Sequence, residues 1–184
     1  AAGELFSAKA LPAIDVWRKA RLAIEANRVR AARDAVAIVA TDVLPQVTQL
    51  NDAPTKFLRA HSTAPGRERK ELMVLALIKL ATSDPDSAAQ MLDSKWSVHF
   101  NAAERNWTWG VIGKQAALRL SPTANEYFAK VSRDTDLNDE LLAWKVRAAL
   151  RAGQWDMVRK AITAMSPEAQ KDSAWTYWKA RALL

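Results

Sequence analysis

Acid catalysis needs a carboxyl group held in a partly apolar cleft with a second polar group opposite. In this 184-residue chain one acid sits among aromatics: Glu104, close to Trp107. A surface salt bridge with Arg105 or another neighbour is its expected role. Asp84, Asp86, Asp136, Asp139 and Asp172 lie near predicted helix starts, where a carboxylate stabilises free backbone amides. His61 and His99 are the only histidines, cysteine is absent, and no His-x-x-x-His spacing occurs, so no metal site is expected. There is no Gly-x-Ser-x-Gly turn and no glycine-rich phosphate loop, because Gly110 and Gly113 fall inside a helical pattern. No cofactor is expected, and the chain by itself does not read as an enzyme.

Charge narrows the partners. Lys and Arg number 27 against 20 Asp and Glu, a formal charge of +7 that favours anionic partners through long-range attraction. The densest cluster is Arg18, Lys19, Arg21, Arg28, Arg30 and Arg33, much of it ordinary solvated helix face. No nucleic-acid recognition motif accompanies it, so nucleic acid is not an expected partner. No apolar run reaches membrane-spanning length, so no transmembrane segment is expected. Of the eight tryptophans, seven follow residue 95. At helical spacing they are expected to fill seams between helices. Trp107 and Trp109 cannot point the same way on one helix, so one of them is expected to face outward or meet another element.

The elements that carry these residues are helices. Leu142, Val146, Ala149 and Leu150 form one apolar stripe, and Trp155, Val158, Ile162 and Met165 form the next. Gly153 stands between them, where a helix end needs the left-handed conformation. Two helices joined so closely run antiparallel. The pattern recurs near the N-terminus: a shift of 126 positions places Lys19 on Lys145, Arg21 on Arg147, Ala23 on Ala149, Ala26 on Ala152, Arg33 on Arg159 and Ala35 on Ala161. Asn27 then falls on Gly153, and Asn also tolerates the left-handed region. Weaker echoes precede Arg147 by 32 residues, at Gln115–Leu118, and follow it by 34, at Arg181–Leu184. Such periods mark an α-solenoid.

Asp84-Pro85, Ser121-Pro122 and Ser166-Pro167 each set an N-cap residue before a proline suited to the first helical turn. The expected architecture is all-α: a TPR-like superhelix of antiparallel hairpins forming one domain over 1–184. Hairpins are placed at about 13–40, 68–94, 101–131, 138–165 and 173–184 onward. Residues 41–67 are less regular, with one or two short helices and a loop around 61–67. No segment reads as a strand. The final Arg181-Ala182-Leu183-Leu184 carries no capping signal, so the chain reads as a piece of a longer protein.

The string W-K-V-R-A-A-L-R-A-G-Q-W-D-M-V-R-K-A-I-T-A-M, followed by W-T-Y-W-K-A-R-A-L, resembles the soluble lytic murein transglycosylases. It is most similar to the superhelical, U-shaped domain that precedes their catalytic domain. The signature places are Trp144, Arg147, Gly153, Trp155, Trp175, Tyr177 and Trp178, with structural roles. The resemblance is specific over 139–184 and weaker upstream. It implies a parent enzyme that cleaves the β-1,4 bond between N-acetylmuramic acid and N-acetylglucosamine, leaving a 1,6-anhydro product, in the periplasm of a Gram-negative bacterium. The family's catalytic Glu-Ser pair is absent, since every Glu here is followed by Leu, Ala, Arg or Tyr. The implied role is a scaffold, with peptidoglycan and the catalytic domain of the same chain as partners. Peptidoglycan carries carboxylates, and Arg18, Arg21, Arg28 and Arg33 are the candidate substrate-binding surface. The competing reading is a helical-repeat scaffold for protein–protein interaction.

Overall fold

The computed structural model describes residues 12–183. Residues 1–11 of the expected domain, and Leu184 of the expected final hairpin, lie outside the described residues. The described chain is all-α, with eleven α-helices and no strand among the described residues. It divides into two compact units, Ala1–His99 and Phe100–Leu184.

In the first unit, α1 (Ala13–Glu25) and α2 (Val29–Val39) form an antiparallel hairpin. Two short helices follow in the irregular stretch, α3 (Leu44–Asp52) and α4 (Pro54–Ala60), with prolines in their first turns, where a missing amide costs nothing. The long α5 (Arg67–Ala81) packs against α1, α3 and α4. It is buried on all sides from Glu71 to Ile78, as a helix that is apolar almost all round must be. Asp84 then caps α6 (Pro85–Met91) by accepting the Ser87 amide at 3.0 Å.

The second unit stacks hairpin on hairpin. Helix α7 (Ala102–Leu118) packs on α8 (Ala124–Ala129) and α9 (Asp139–Arg151). In turn α9 packs on α10 (Trp155–Ala164), and α10 on α11 (Ser173–Arg181). That neighbour-to-neighbour order is how repeat hairpins bury a continuous core.

The 126-residue correspondence is exact in the backbone. Asn27 has φ +57° and Gly153 φ +69°. Both turns close with the same six-to-one hydrogen bond, Arg28 N–H to Ala23 C=O and Gln154 N–H to Ala149 C=O, each 2.8 Å. A Cβ on Gly153 would meet no atom within 4 Å, so the cost of Gly153→Ala is purely conformational. Chemical denaturation should show that variant destabilised by about 1–2 kcal/mol; an unchanged midpoint would deny the strain.

Trp107 and Trp109 are both buried, and Trp109 meets another element as expected, stacking on Tyr127 of α8 with ring centres 6.0 Å apart. Two expectations need correction. Ser121-Pro122 does not start the next helix: Ser121 Oγ bonds the Thr123 hydroxyl at 2.8 Å, and α8 begins at Ala124. Ser166-Pro167 leads only into a 3-10 turn at Ala169–Lys171, and Asp172 caps α11 instead.

Candidate functional site

Glu104 is not an acid poised in a cleft, nor is it in the surface salt bridge expected from its neighbours. It forms a capping box at the start of α7: its carboxylate accepts the Asn101 amide at 2.8 Å, and Asn101 Oδ1 accepts the Glu104 amide at 2.9 Å. His61 Nδ1 lies 2.9 Å from the Phe57 carbonyl, and its ring packs on Phe57 with centroids 4.6 Å apart. Lys95 holds the start of the following loop by donating to the Leu58 and His61 carbonyls. His99 packs beside Trp96. These groups are engaged in structure and are not arranged for proton transfer.

Of the four candidate arginines, one is removed from the surface. Arg21 is 2% exposed and Glu71 1% exposed. The guanidinium grips the carboxylate through Nε at 3.0 Å and Nη2 at 2.7 Å, a bidentate geometry only arginine offers. Arg21 ties α1 to α5 and adds nothing to an exposed basic face. Arg18, Arg28 and Arg33 are exposed, on α1, at the hairpin turn and on α2 respectively. Arg18 pairs with Asp15 at 3.2 Å, and Arg33 donates to the Thr48 hydroxyl.

The signature residues form the most exposed aromatic region of the second unit. Trp144 and Arg147 lie one turn apart on α9, and the Arg147 guanidinium sits between two indoles, 5.0 Å from the Trp144 ring and 5.4 Å from that of Trp175 on α11. Trp155, at the first turn of α10, is 41% exposed and 6.5 Å from Trp178. Tyr177, 56% exposed, meets Trp178 edge-on at 5.0 Å. Gly153 sets the turn that brings α10 back along α9. Seam-filling describes Trp17, Trp96, Trp107 and Trp109, which are buried; the last four tryptophans stay partly in solvent.

Beside this cluster lies a groove of about 350 Å³. Ala117 and Leu120 at the end of α7, Pro122, Ala124 on α8, and Trp144, Ala148 and Ala152 along α9 make it mainly apolar. Arg147 and Arg151 border it. Leu120 stands in the left-handed region at φ +56° and is 66% exposed, a backbone cost of about 1–2 kcal/mol for a leucine. Sequence periodicity missed this groove: Ser121-Pro122 looks like a helix start, and the turn that opens the groove depends on Leu120 adopting a conformation its type disfavours.

A larger, polar groove of about 680 Å³ involves α9, α10 and the α8–α9 connection. Its charges satisfy one another. Lys145 pairs with Asp134 at 2.6 Å, and Arg159 and Lys160 both reach Asp156 at 2.6 Å. Hydrogen bonds from Lys160 and then Arg159 hold the Asp156 carboxyl below the usual carboxylate range.

Among the described residues no helix is long and apolar enough to cross a membrane. No protein-family model matches the chain, and no curated protein sequence does either. Among solved structures, it is similar to an inactive mutant of the lytic transglycosylase Slt from Pseudomonas aeruginosa, with a TM-score of 0.64 and 23% sequence identity. The likeness covers 98% of this chain and 30% of that one. At that identity it establishes a shared all-helical fold, and this chain spans under a third of the other's length.

Proposed function

We propose that this chain is the helical scaffold of a peptidoglycan lytic transglycosylase, supporting a catalytic domain carried on the same polypeptide. The observation that carries the reading is the fold likeness along 98% of the chain to a protein of that activity. The W-K-V-R-A-A-L-R-A-G-Q-W string points to the same family on separate grounds, through side chains and turn geometry. The parent enzyme would cleave the N-acetylmuramic acid–N-acetylglucosamine bond and release 1,6-anhydro products in the periplasm of a Gram-negative cell. The chain's part is mechanical and electrostatic. Its stacked hairpins fix a surface, and its positive charge raises the local concentration of a carboxylate-bearing polymer. With Arg21 committed to Glu71, the exposed contributors are Arg18, Arg28 and Arg33.

Incubating the full-length gene product with purified sacculi is expected to release muropeptides ending in 1,6-anhydro rings. Reducing-end products alone, or no release, would sink the reading. The charge element has its own check. The chain should be retained on sacculi at low salt and lose most of that retention by about 0.5 M salt, where the Debye length is only a few ångströms. Replacing Arg18, Arg28 and Arg33 together by Glu should abolish low-salt retention; undiminished retention would deny these residues the role.

A further inference from the structure

The apolar groove in the second unit has a chemistry that the scaffold reading does not use. Arg147 and Arg151 stand one turn apart on α9 and both border it. Neither has a hydrogen bond or an ion pair with any described residue, whereas most other cations of this unit are paired. Arg147 is nonetheless held in place, its guanidinium bracketed by Trp144 and Trp175. A cation fixed by aromatic faces keeps its N–H edge free for an oxyanion at reduced entropic cost. Asn125 supplies a second observation. It lines the same groove, and its Oδ1 is screened from water without any donor. Buried acceptors in folded proteins are rarely left so. The terminal amide torsion is soft, so a turn about it offers that oxygen to a groove occupant.

The repeat indicates which anion suits the place. Under the 126-residue correspondence Arg147 occupies the position of Arg21, which grips a carboxylate with two hydrogen bonds. In the second unit no described residue supplies that carboxylate. The groove's remaining walls are mainly apolar, aliphatic at Ala117, Leu120, Ala148 and Ala152 and aromatic at Trp144, and the one hydroxyl among them, on Ser121, is bonded to Thr123. An occupant must therefore bring three things: a carboxylate, an N–H donor and a small apolar body. Its volume of about 350 Å³ is at the lower end of the range for small-ligand sites.

We propose that the groove between α7, α8 and α9 binds a short peptide with a free carboxylate: the carboxylate on Arg147 and Arg151, a backbone N–H on Asn125 Oδ1, and a small apolar side chain against Ala117, Leu120 and Ala148. A neutral glycan stacked on Trp144 would leave the two guanidinium groups without a counter-charge, which favours an occupant that brings a carboxylate. The assignment stands on the groove's own chemistry. If the full-length protein releases no anhydro product, the enzyme reading falls and this one does not; if the probe below fails to bind, only this one falls.

The test is calorimetric titration of the whole chain with N-acetyl-Leu-Ala as the free acid and as its C-terminal methylamide. The acid is expected to bind and the methylamide to bind at least about tenfold more weakly, since it forfeits the charge-assisted pair. Arg151→Gln, at an exposed position with no described partner, should weaken the acid about tenfold and leave the thermal midpoint unchanged. Arg147→Lys keeps the charge but loses the planar fork, and should weaken it several-fold. Asn125→Ala should weaken acid and methylamide alike, and Arg59→Gln, at an exposed position of the other unit, should change neither. No binding of the acid at millimolar concentration would overturn the proposal. So would equal affinity for acid and methylamide, or full affinity retained in both the Arg151→Gln and Arg147→Lys variants.

Discussion

Glu71→Gln is expected to destabilise the chain by about 3–5 kcal/mol, read as a lower thermal midpoint and a lower denaturant midpoint. Both partners of the pair are sealed from solvent, and the carboxylate takes two guanidinium N–H bonds from Arg21. A neutral amide in its place removes the counter-charge that the buried Arg21 fork grips, which costs far more than the pair itself contributes. The companion experiment follows from the same asymmetry. Removing both charges together, as Arg21→Met with Glu71→Leu, should recover most of the lost stability, because an apolar pair of similar volume packs without desolvation cost. A single-variant cost under about 1 kcal/mol would show that water reaches the pair.

The second large effect sits where α8 crosses α7. Phe128 is fully buried, and its ring lies so close to Gly113 that a Cβ there would come within 2.9 Å of Cγ and Cδ2. Phe128→Ala should cost about 3–5 kcal/mol from lost burial and the cavity left behind. Gly113→Ala alone should cost about 1–3 kcal/mol, because a buried ring cannot yield cheaply and overpacking outweighs the better helix propensity of alanine. Combined, the two must not add. With the ring gone, Gly113→Ala should become neutral or stabilise by up to about 1 kcal/mol, since only propensity remains. Urea unfolding of the four chains in this cycle measures the coupling. Additive costs would mean that the ring is not what requires a glycine there.

Much of this was legible before any coordinates. The all-α character is legible, because apolar stripes at helical spacing persist over many turns. Gly153 and Asn27 were readable as left-handed turns, because few residue types tolerate that conformation. Local signals left some outcomes open, decided in one case by contacts distant in sequence and in others by a competing local geometry. Trp107 and Trp109 point apart on α7, and the choice between solvent and another element, which the sequence left open, is made by the helices packed around α7. Ser121-Pro122 has a helix-start pattern, yet Leu120 in the left-handed region redirects the chain and α8 starts later. Glu104 beside Arg105 suggests a salt bridge, but Asn101 three residues back makes the capping box locally complete.

The two arginines at one repeat position mark the boundary between the two kinds of information. The sequence by itself determined that Arg21 and Arg147 follow the same hairpin logic, because hairpin geometry depends on stripes, turn residues and spacing within about thirty positions. It could not determine their environments. Arg21 is buried because α5, fifty residues away, delivers Glu71 against it. Arg147 faces two indoles and an apolar groove because α11 and the α7–α8 turn arrive there without a carboxylate. A helix is a local object, set by hydrogen bonds four residues apart; a charge's surroundings are set by whichever distant segments pack beside it. The fold could be read along the chain, and the fate of each cation was decided only across it.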